Sequence, residues 1–358
     1  MKAAVYHGPG DVRIEQVPEP GTPGPGEVLL QVSMGSLCGT DASQYKQATM
    51  IPLLHPHPVS QQRAPLILGH EVVGVIVEKG PDVAGLQVGQ RVVPGAGWWC
   101  GECLPCREGR SNICERYFIF GIHAHGGLAE RATFPAKMCQ PVPDGCSDEA
   151  AAMAQACAVA LHALLRGGIA AGQTVALFGV GSIGSLLLAT MIAQTGGAVC
   201  VIVVDVEDER LHNAARLGAS MLVNGQSADP VAAIHHHTLG KGVDVAIDAS
   251  GALETPAQTL LSARKGGKVL QVGIPTAPSH LPLSHAVVNE IQIVTTNGHV
   301  CGVDLPQALQ LLATTDLAAR VRHRVIDLHD LVPEGLVPLA AHRATAKILV
   351  DVLHAGTG

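Results

Sequence analysis

The hydrophobic pattern of the chain changes near residue 147. Before that point, apolar residues form short runs that glycine and proline interrupt, as in EVLLQVSMGSLCG, LILGHEVVGVIVEKG and GQRVVPGAGWW. Runs of this kind are typical of β-strands. Proline-rich stretches at 18–25 and 52–65 indicate ordered loops. The first part of the chain is therefore predicted to be rich in β-structure.

The second part of the chain alternates between strands and helices. It begins with the helical segment SDEAAAMAQACAVALHALLRGG, for which Ser147 is the predicted N-cap. The segments that follow are strand TVALFGV, helix SIGSLLLATMIAQTG, strand VCVIVVD, helix DERLHNAARLGA, strand VDVAIDAS, helix ETPAQTLLSAR, and strands KVLQVGI and IQIVTT. Buried strands joined by helices predict a doubly wound parallel sheet. After Asn297, a helical pattern precedes the strand KILVDVL.

Length and charge narrow the class of protein. A chain of 358 residues exceeds the usual size of one core, so two domains are expected. A net charge of −7 argues against nucleic acid or an anionic membrane as a partner. The start MKAAVYHGPG lacks the features of a signal peptide, and the uncharged segment 175–193 fits strand, turn and helix better than a membrane span. We therefore expect a cytoplasmic protein, in which structural disulfides are rare.

Four of the ten cysteines lie within fifteen residues, in the segment CGECLPCREGRSNIC. The C-x2-C-x2-C-x7-C spacing suits a closed zinc site with four thiolate ligands: Cys100, Cys103, Cys106 and Cys114. Free surface thiols and a redox C-x-x-C pair are the alternatives, but no strand-to-helix context surrounds the cysteines. This zinc would be structural and would stabilise a lobe over about 97–116, whose apolar residues are mainly Trp98 and Trp99.

A glycine motif follows the first strand of the predicted parallel sheet and begins a helix. The motif GVGSIG consists of Val180 and five further residues: Gly179, Gly181, Ser182, Ile183 and Gly184. Asp205 ends the next strand, 21 residues after the last glycine. This arrangement is typical of a dinucleotide site, where the helix N-terminus faces the pyrophosphate and the acid binds the ribose hydroxyls. No arginine follows Asp205 directly, which favours NAD over NADP.

Three further residues form a candidate catalytic metal site. Cys38 follows a predicted strand in SLCGTD, and His70 and Glu71 lie in LGHEVVG. One cysteine, one histidine and one carboxylate can bind zinc with a coordination position left open, as catalytic zinc requires. Each residue alone has an ordinary explanation, as a core cysteine, a core histidine or a surface acid. The run His235–His237 is predicted to be a solvated helix face, since adjacent residues cannot all face one ion.

These motifs resemble the zinc-containing medium-chain dehydrogenase/reductase superfamily of alcohol and polyol dehydrogenases. The motifs CGTD, GHEVVGVIVEKG, VGQRV, FGVGSIG, ARLGA and the four-cysteine lobe carry the resemblance, nearly end to end. The segments IPLLHPHPVSQQRAPLILGHE and AVALHAL resemble the 2,3-butanediol dehydrogenase branch. The resemblance implies an α/β fold with a GroES-like catalytic domain over 1–157, a Rossmann NAD-binding domain over 158–296 and a return to the catalytic domain over 297–358.

The resemblance also implies an activity, two zinc ions, NAD and a set of site residues. The substrate would be a secondary alcohol or a vicinal diol, oxidised to a ketone at zinc with hydride transfer to NAD. Thr40 would take the alcohol proton and Asp41 would orient His70. The residues expected near NAD are Arg210 at the adenosine ribose, and Val272, Gly273, Ile274 and the backbone near Thr295 at the nicotinamide. A homodimer or homotetramer is expected.

The chain departs from its relatives at two positions. Ser43 stands where relatives often carry a histidine that passes the proton to solvent, so the relay is shorter, passes through water or uses His55 or His57. Gln155 stands where close relatives carry a glutamate near the zinc. Counting the charges of Cys38 and Glu71 against Zn²⁺, we expect a further carboxylate to make the site net negative. Gln155 avoids that charge and still presents an amide oxygen.

Alternatives to these interpretations remain open at this point. Cys157, two residues after Gln155, would give a Cys2His site like that of other alcohol dehydrogenases, or neither residue lies near zinc. For the whole chain, one alternative is a zinc-free quinone or enoyl reductase of the same superfamily, against which Cys38 and His70 argue. The other is a nucleotide-binding protein without turnover, which the altered Ser43 and Gln155 keep open.

Overall fold

The chain folds into two compact units. The computed structural model describes residues 1–275, 277–341, 343–344 and 347–353. One unit contains Met1–Ala158 together with the chain from His299 onward, and the other contains Val159–Gly298. The domain limits that the resemblance implies, 157/158 and 296/297, lie within two residues of these limits.

The strands of the described residues form four sheets. In chain order they are β1 (Lys2–Gly8), β2 (Asp11–Gln16), β3 (Glu27–Ser36), β4 (Leu66–Ile67), β5 (Val72–Lys79), β6 (Arg91–Pro94), β7 (Gly97–Trp98), β8 (Phe118–Ile119), β9 (Arg131–Pro135), β10 (Cys139–Pro141), β11 (Thr174–Phe178), β12 (Cys200–Asp205), β13 (Met221–Asn224), β14 (Val243–Asp248), β15 (Ala263–Gln271), β16 (Gln292–Thr295), β17 (Arg322–Asp327) and β18 (Lys347–Asp351). Strands β1 to β10, β17 and β18 belong to the first unit, so its β-rich character agrees with the prediction.

The helices are concentrated in the second part of the chain. They are α1 (Gly39–Lys46), α2 (Leu104–Arg107), α3 (Asp148–Ala152), α4 (Ala154–Gly167), α5 (Ser182–Thr195), α6 (Asp208–Leu217), α7 (Pro230–His237), α8 (Thr255–Ser262), α9 (Leu283–Val288), α10 (Cys301–Thr314), α11 (Leu317–Val321) and α12 (Val337–Ala340). Short 3₁₀ turns occur at Ser111–Ile113, Ala136–Met138 and Leu328–Asp330, and a π-helical turn at Leu331–Leu336. None of the described helices is long and apolar enough to cross a membrane.

The larger sheet of the first unit has the strand order β10-β6-β5-β3-β18-β17, with β9 also paired to β3. Strands β5 and β18 lie antiparallel to β3 on its two sides. Their register pairs Gly35 with Val72 and Ser36 with Leu349. The end of β3 and the starts of β5 and β18 therefore meet at one place, although the last strand is more than 270 residues away from β5 in sequence.

The sheet of the second unit is the predicted doubly wound parallel sheet. Its order is β13-β12-β11-β14-β15-β16, and every neighbouring pair is parallel. This is the Rossmann order, in which the chain reverses its direction of winding between β11 and β14. Phe178 pairs with Val204 and with Asp248, so the carboxyl ends of three strands lie side by side. Ligands of open parallel sheets bind at such a place.

The local predictions differ from the structure in a few details. The helical segment after Ser147 is broken at Met153 into α3 and α4, while Ser147 caps α3 by accepting a hydrogen bond from the Ala150 amide at 3.2 Å. Strand β13 and most of α7 carry no strong sequence signal and were not predicted. At the end of α7, His236 and His237 are exposed as expected. His235 is less exposed than expected: it is half-buried, and its Nε2 lies 2.9 Å from the Leu261 carbonyl oxygen.

Candidate functional site

Three predicted metal ligands converge in the first unit. The ligand atoms of Cys38, His70 and Glu71 all lie within 4.8 Å of one another. Cys38 is the N-cap of α1, directly after β3, and the other two residues occupy the turn between β4 and β5. Register of β3 against β5 therefore brings together residues that are more than thirty positions apart. A thiolate, an imidazole and a carboxylate are a donor set that zinc accepts, so these residues fit the ion.

Asp41 lies beside the ring of His70. Its Oδ1 lies 3.5 Å from His70 Nδ1, and its Oδ2 accepts a hydrogen bond from the Cys38 amide at 2.9 Å. Burial raises the pKa of Asp41. Burial also lowers the pKa of His70, but Asp41 and Cys38 raise it, and the net pKa is about 10. An imidazole whose Nδ1 faces a carboxylate presents Nε2 as its metal-binding atom, and the orienting role of Asp41 stays a prediction.

Lys347, at the start of β18, is a member of this site that the sequence analysis missed. Its ammonium donates to Glu71 Oε2 at 2.6 Å and to the Leu37 carbonyl oxygen at 2.8 Å. The Lys347 and Glu71 side chains are 2% and 1% exposed, and Ser36 Oγ donates to the same carboxylate oxygen at 2.5 Å. The available signal was a lysine at the start of the apolar strand KILVDVL, because a buried lysine needs an anionic partner.

This lysine changes the charge balance that the sequence predicted. The earlier count placed two negative charges, on Cys38 and Glu71, against Zn²⁺. Lys347 adds one positive charge in direct contact with Glu71. The three side chains then carry a net charge of minus one, so a divalent ion makes the group net positive. The expectation that a further carboxylate would make the site net negative stays a prediction, because the buried acid Asp41, 3.5 Å from His70, is not part of this count.

The predicted proton-relay residues lie in different surroundings. Thr40 is half-buried, and its Oγ1 lies 3.6 Å from Cys38 Sγ, so its hydroxyl is beside the candidate metal site. Ser43 and His55 are exposed. His57 stacks on the ring of His123 with centroids 4.4 Å apart, and its Nδ1 accepts backbone hydrogen bonds from residues 59 and 60. Burial lowers the pKa of His57, so this side chain has a structural role in its own loop.

Gln155 and Cys157 both lie in the first turn of α4. Gln155 is buried, with 7% of its surface exposed, and Cys157 is fully buried. Among the described residues, the converging group of ligand atoms consists of Cys38, His70 and Glu71, and Cys157 is outside it. This geometry gives no support to the alternative in which Cys157 completes a Cys2His site with both Cys38 and His70.

The four lobe cysteines form the second converging group. Sulfur separations are 4.0 Å for Cys100 and Cys106, 3.8 Å for Cys103 and Cys114, and 3.5 Å for Cys114 and Cys100. Four sulfurs around one zinc at 2.3 Å would be about 3.8 Å apart in a tetrahedron. None of the ten cysteines, all of which are described, forms a disulfide. The spacing therefore fits one ion and a closed site.

Backbone amides prepare the Cys100 sulfur to carry negative charge, whereas burial raises the pKa of Cys106 to about 12. The Sγ of Cys100 accepts hydrogen bonds from the amides of Cys103 and Glu102, each at 3.4 Å. These bonds lower the pKa of Cys100 to about 6. At the entrance of the lobe, the Lys137 ammonium lies 4.6 Å from the centre of the Trp98 ring and 4.8 Å from that of Trp99. Cation–π contacts thus anchor the two tryptophans that the sequence placed there.

The glycine motif forms a tight turn between β11 and α5 in the second unit. Gly179 has φ +85°, and a Cβ on Gly184 would lie 2.1 Å from the Gly179 carbonyl oxygen. Both positions therefore require glycine. Gly181 is the N-cap of α5 and makes no side-chain cap, so the amides of Ser182 and Ile183 at the helix start remain available for an anion. These features match the dinucleotide-binding arrangement that the motif predicts.

Asp205 has a structural role in addition to its expected contact with ribose. Its Oδ2 accepts the Val180 amide at 2.8 Å, and its Oδ1 accepts the Val206 and Glu207 amides at 2.8 and 3.1 Å. The carboxylate thus ties the glycine turn to the end of β12. The Arg210 guanidinium lies 3.8 Å from the Asp205 carboxylate, and its expected contact with the ribose stays a prediction.

The predicted nicotinamide segment is held by Asp248. Its backbone carbonyl accepts the amides of Val272 and Gly273 at 2.9 and 2.8 Å. Its carboxylate accepts the Gln271 amide at 2.9 Å, which also donates to the Gly273 carbonyl oxygen at 2.8 Å. Ile274 is exposed. The segment after β15 therefore lies beside the end of β14, at the edge of the sheet where the glycine turn also lies.

Family models match both parts of the chain. The model described as alcohol dehydrogenase GroES-like domain matches residues 24–144, and the one described as zinc-binding dehydrogenase matches residues 183–314. Among curated relatives, (R,R)-butanediol dehydrogenase of Bacillus subtilis strain 168 is 32% identical over 354 residues, covering 98% of this chain and 99% of that protein. Sorbitol dehydrogenase of the same strain is 34% identical over 296 residues, covering 82% of this chain and 81% of that protein.

Solved structures agree in fold and include nucleotide complexes. The 2R,3R-butanediol dehydrogenase of Bacillus subtilis matches with a TM-score of 0.89 and 31% identity, covering 98% of this chain and 99% of that one. A short chain alcohol dehydrogenase of Escherichia coli CFT073, complexed with NADH, matches with a TM-score of 0.85 and 25% identity. The match covers 98% of this chain and 99% of that one. A putative zinc-binding dehydrogenase of Sinorhizobium meliloti 1021, bound to NADP, matches with a TM-score of 0.86 and 29% identity. The match covers 98% of each chain.

The relationship extends over nearly the whole chain and includes both converging ligand groups and the glycine turn. The GroES-like unit and the Rossmann unit are each present, as the motifs predict. The chain belongs to the zinc-containing medium-chain dehydrogenase/reductase family, the family of the alcohol and polyol dehydrogenases.

Proposed function

We propose that this protein is a zinc-dependent dehydrogenase that transfers hydride between a secondary alcohol or vicinal diol and NAD. The observation that carries the proposal is the convergence of Cys38, His70 and Glu71 within 4.8 Å, in a chain that also forms a dinucleotide-binding turn. Relatives named for butanediol and sorbitol support a substrate with neighbouring hydroxyl groups.

Each residue of the metal site has a distinct part in this reaction. Cys38, His70 and Glu71 would hold a zinc ion, and the chemistry that zinc supplies is polarisation of the alcohol oxygen, which lowers the pKa of the hydroxyl. Asp41 keeps His70 in the orientation that presents Nε2. The hydroxyl of Thr40, beside Cys38, accepts the alcohol proton and passes it towards solvent. The exposed Ser43 replaces the usual histidine of this relay.

The second unit would hold NAD, the hydride acceptor. The amides at the start of α5 would face the pyrophosphate. Asp205 and Arg210 would contact the adenosine ribose, and Val272 to Ile274 would lie at the nicotinamide. Asp205 carries the preference for NAD, because its charge repels a 2′-phosphate. Arg210, 3.8 Å away, reduces that repulsion. We therefore propose NAD as the better, but not the exclusive, cofactor.

The alternatives are less well supported. A zinc-free reductase has no use for Cys38, His70 and Glu71 as a converging group. A nucleotide-binding protein without turnover would retain the glycine turn but would not reduce NAD with any alcohol. A four-thiolate zinc lobe, together with cysteines that form no disulfide, suits a reducing compartment, which supports the cytoplasm as location.

The proposed activity predicts alcohol-dependent formation of NADH. We expect the zinc-loaded protein to oxidise members of a panel of diols, cyclitols and secondary alcohols, with NAD preferred to NADP by about tenfold or more in kcat/KM. His70→Gln should lower kcat by about a thousandfold, since loss of polarisation removes several kcal/mol of transition-state stabilisation. The measurement is NADH absorbance, and His236→Gln, at an exposed histidine, is the matched control. NADH binding without turnover on the whole panel would contradict the proposal.

The lobe cysteines predict a second, structural zinc ion. Cys103→Ser should lower the zinc content from two ions to one per chain and lower the melting temperature, because a closed site contributes to folding. Turnover per remaining zinc ion should change little. Metal analysis and calorimetry measure both effects, and Cys200→Ser, outside the lobe, is the control. A stable Cys103→Ser protein that retains two zinc ions would exclude the four-cysteine site.

Gln155 is proposed to lie beside the catalytic zinc as a neutral group. With Lys347 included, the ligand group and zinc are net positive, and an uncharged neighbour preserves that charge. A net positive site favours loss of a proton from the alcohol. The amide oxygen of Gln155 can accept a hydrogen bond without adding charge.

Gln155→Glu is therefore predicted to retain zinc and to raise the apparent pKa of kcat by about one unit. The added negative charge favours the protonated form of the ionising group, so activity would appear at higher pH than in the wild type. The pH profile of kcat measures the shift. Cys157→Ala should leave both the profile and zinc content unchanged. Loss of zinc in Cys157→Ala, with an unchanged Gln155→Ala protein, would show that the cysteine is the ligand.

The expected homo-oligomer is proposed to form through the edge of the Rossmann sheet. Strand β16 is the outer strand of that sheet, next to β15. Its Ile293 is 42% exposed, and Val288 at the end of α9 is 77% exposed. An outer strand with apolar neighbours can pair with the same strand of a second copy around a twofold axis, which covers both features at once.

This interface predicts that charged side chains introduced at the β16 edge lower the mass of the oligomer. We expect light scattering to give a dimer or tetramer for the wild type and a smaller species for the double variant Ile293→Lys, Val288→Lys. Burial of lysine charges would disfavour association. The control is Leu239→Lys, at a residue that is 86% exposed and outside this edge. A monomeric wild type, or a double variant of unchanged mass, would refute the interface.

A further inference from the structure

The strongest unassigned feature of the molecule is the buried pair of Lys347 and Glu71. A lysine ammonium at 2.6 Å holds one oxygen of a carboxylate that also belongs to the converging metal-ligand group. Ser36 Oγ holds the same oxygen. Glu71 is thus shared between a cation of its own chain and the site where a metal would bind.

A carboxylate in this position is a weaker metal ligand than a free one. Its charge is partly neutralised by the ammonium, and two hydrogen bonds draw electron density from Oε2. The positive charge of Lys347 also repels a divalent cation nearby, and the low exposure of the pair leaves that repulsion poorly screened. Both effects act against tight binding of the metal by Glu71.

Lys347 also fixes the positions of the ligands. Its second hydrogen bond goes to the carbonyl oxygen of Leu37, the residue before Cys38, at 2.8 Å. The Leu37 amide in turn donates to the Ile348 carbonyl oxygen at 2.9 Å, and the Ser36 amide donates to that of Glu71 at 2.9 Å. The lysine therefore joins the segment of Cys38 to that of Glu71.

We propose that Lys347 is a positioning residue that keeps Glu71 a weak ligand and thereby leaves the metal more positively charged. The inference rests on the proposed function, because it needs zinc at Cys38, His70 and Glu71. It goes beyond a structural role for the ion pair, since a purely structural lysine would strengthen metal binding, whereas this one weakens it.

The test is a comparison of wild type and Lys347→Met as apoproteins titrated with Co²⁺ and with Zn²⁺ against a chelator. Methionine has a similar length and no charge. The apoprotein should melt at a lower temperature, because Glu71 loses its buried partner. The affinity of the site for both ions should rise by about tenfold or more, because the unpaired carboxylate binds the ion more strongly. The Co²⁺ absorption bands should shift, while the four-cysteine site contributes equally to both proteins and cancels in the difference.

Two further variants keep the test decisive if the single variant folds poorly. The double variant Glu71→Gln, Lys347→Met replaces both charges with neutral side chains of similar shape. We therefore expect its apoprotein to be about as stable as the wild type. Its metal binding should be weaker than that of the wild type and of Lys347→Met. Lys268→Met removes another strand lysine, which donates to the Gly167 carbonyl oxygen at 2.8 Å in the second unit. Metal affinity of this control should not change.

The outcomes separate this inference from the proposed function. A wild type that binds only the four-cysteine ion would overturn the proposed function, and the inference with it. A wild type that binds two ions, together with unchanged or lower affinity in Lys347→Met, would overturn the inference alone. Higher affinity with shifted Co²⁺ bands in Lys347→Met, and lower affinity in the double variant, would support it.

Discussion

The ion pair between Lys347 and Glu71 connects parts of the first unit that are far apart in sequence. It joins the last strand of the chain to the turn before β5, and through Leu37 to the end of β3. Two buried charges are stable only when each has its partner and its hydrogen bonds. The C-terminal strand, paired with β3, carries the lysine that holds Glu71, so the return of the chain to its first unit contributes to the candidate metal site.

The parts of the site that the sequence predicts are those with local signals. The four lobe cysteines lie within fifteen residues, and the glycine turn lies between a strand and a helix that each have a clear pattern. Cys38 and the pair of His70 and Glu71 were found because each lies in a recognisable motif. Lys347 was missed because its partner is 276 positions away. No local pattern shows which buried acid a strand lysine will meet.

The fold shows the same limit. The alternating strands and helices of the second unit predict its parallel sheet, since each element has its own periodicity. The short strand β13 was not predicted, because its four residues have no length over which a period can be read. The break between α3 and α4 was also not predicted. Both alanine-rich segments favour helix, and only the surrounding packing decides that Met153 ends the first one.

The two functional units use carboxylates in a related way. Glu71 is held by Lys347 and Ser36, and Asp205 by three backbone amides with Arg210 nearby. In both cases the anion that faces a ligand is already fixed and partly neutralised by its own chain. Fixed groups lose little freedom when a ligand arrives, so less binding energy is spent on ordering them. The partial neutralisation has a second effect, because it makes the strength of each carboxylate depend on its neighbours. Under the proposed function, the neighbouring cations Lys347 and Arg210 would therefore influence how strongly each site attracts a metal ion or excludes a phosphate.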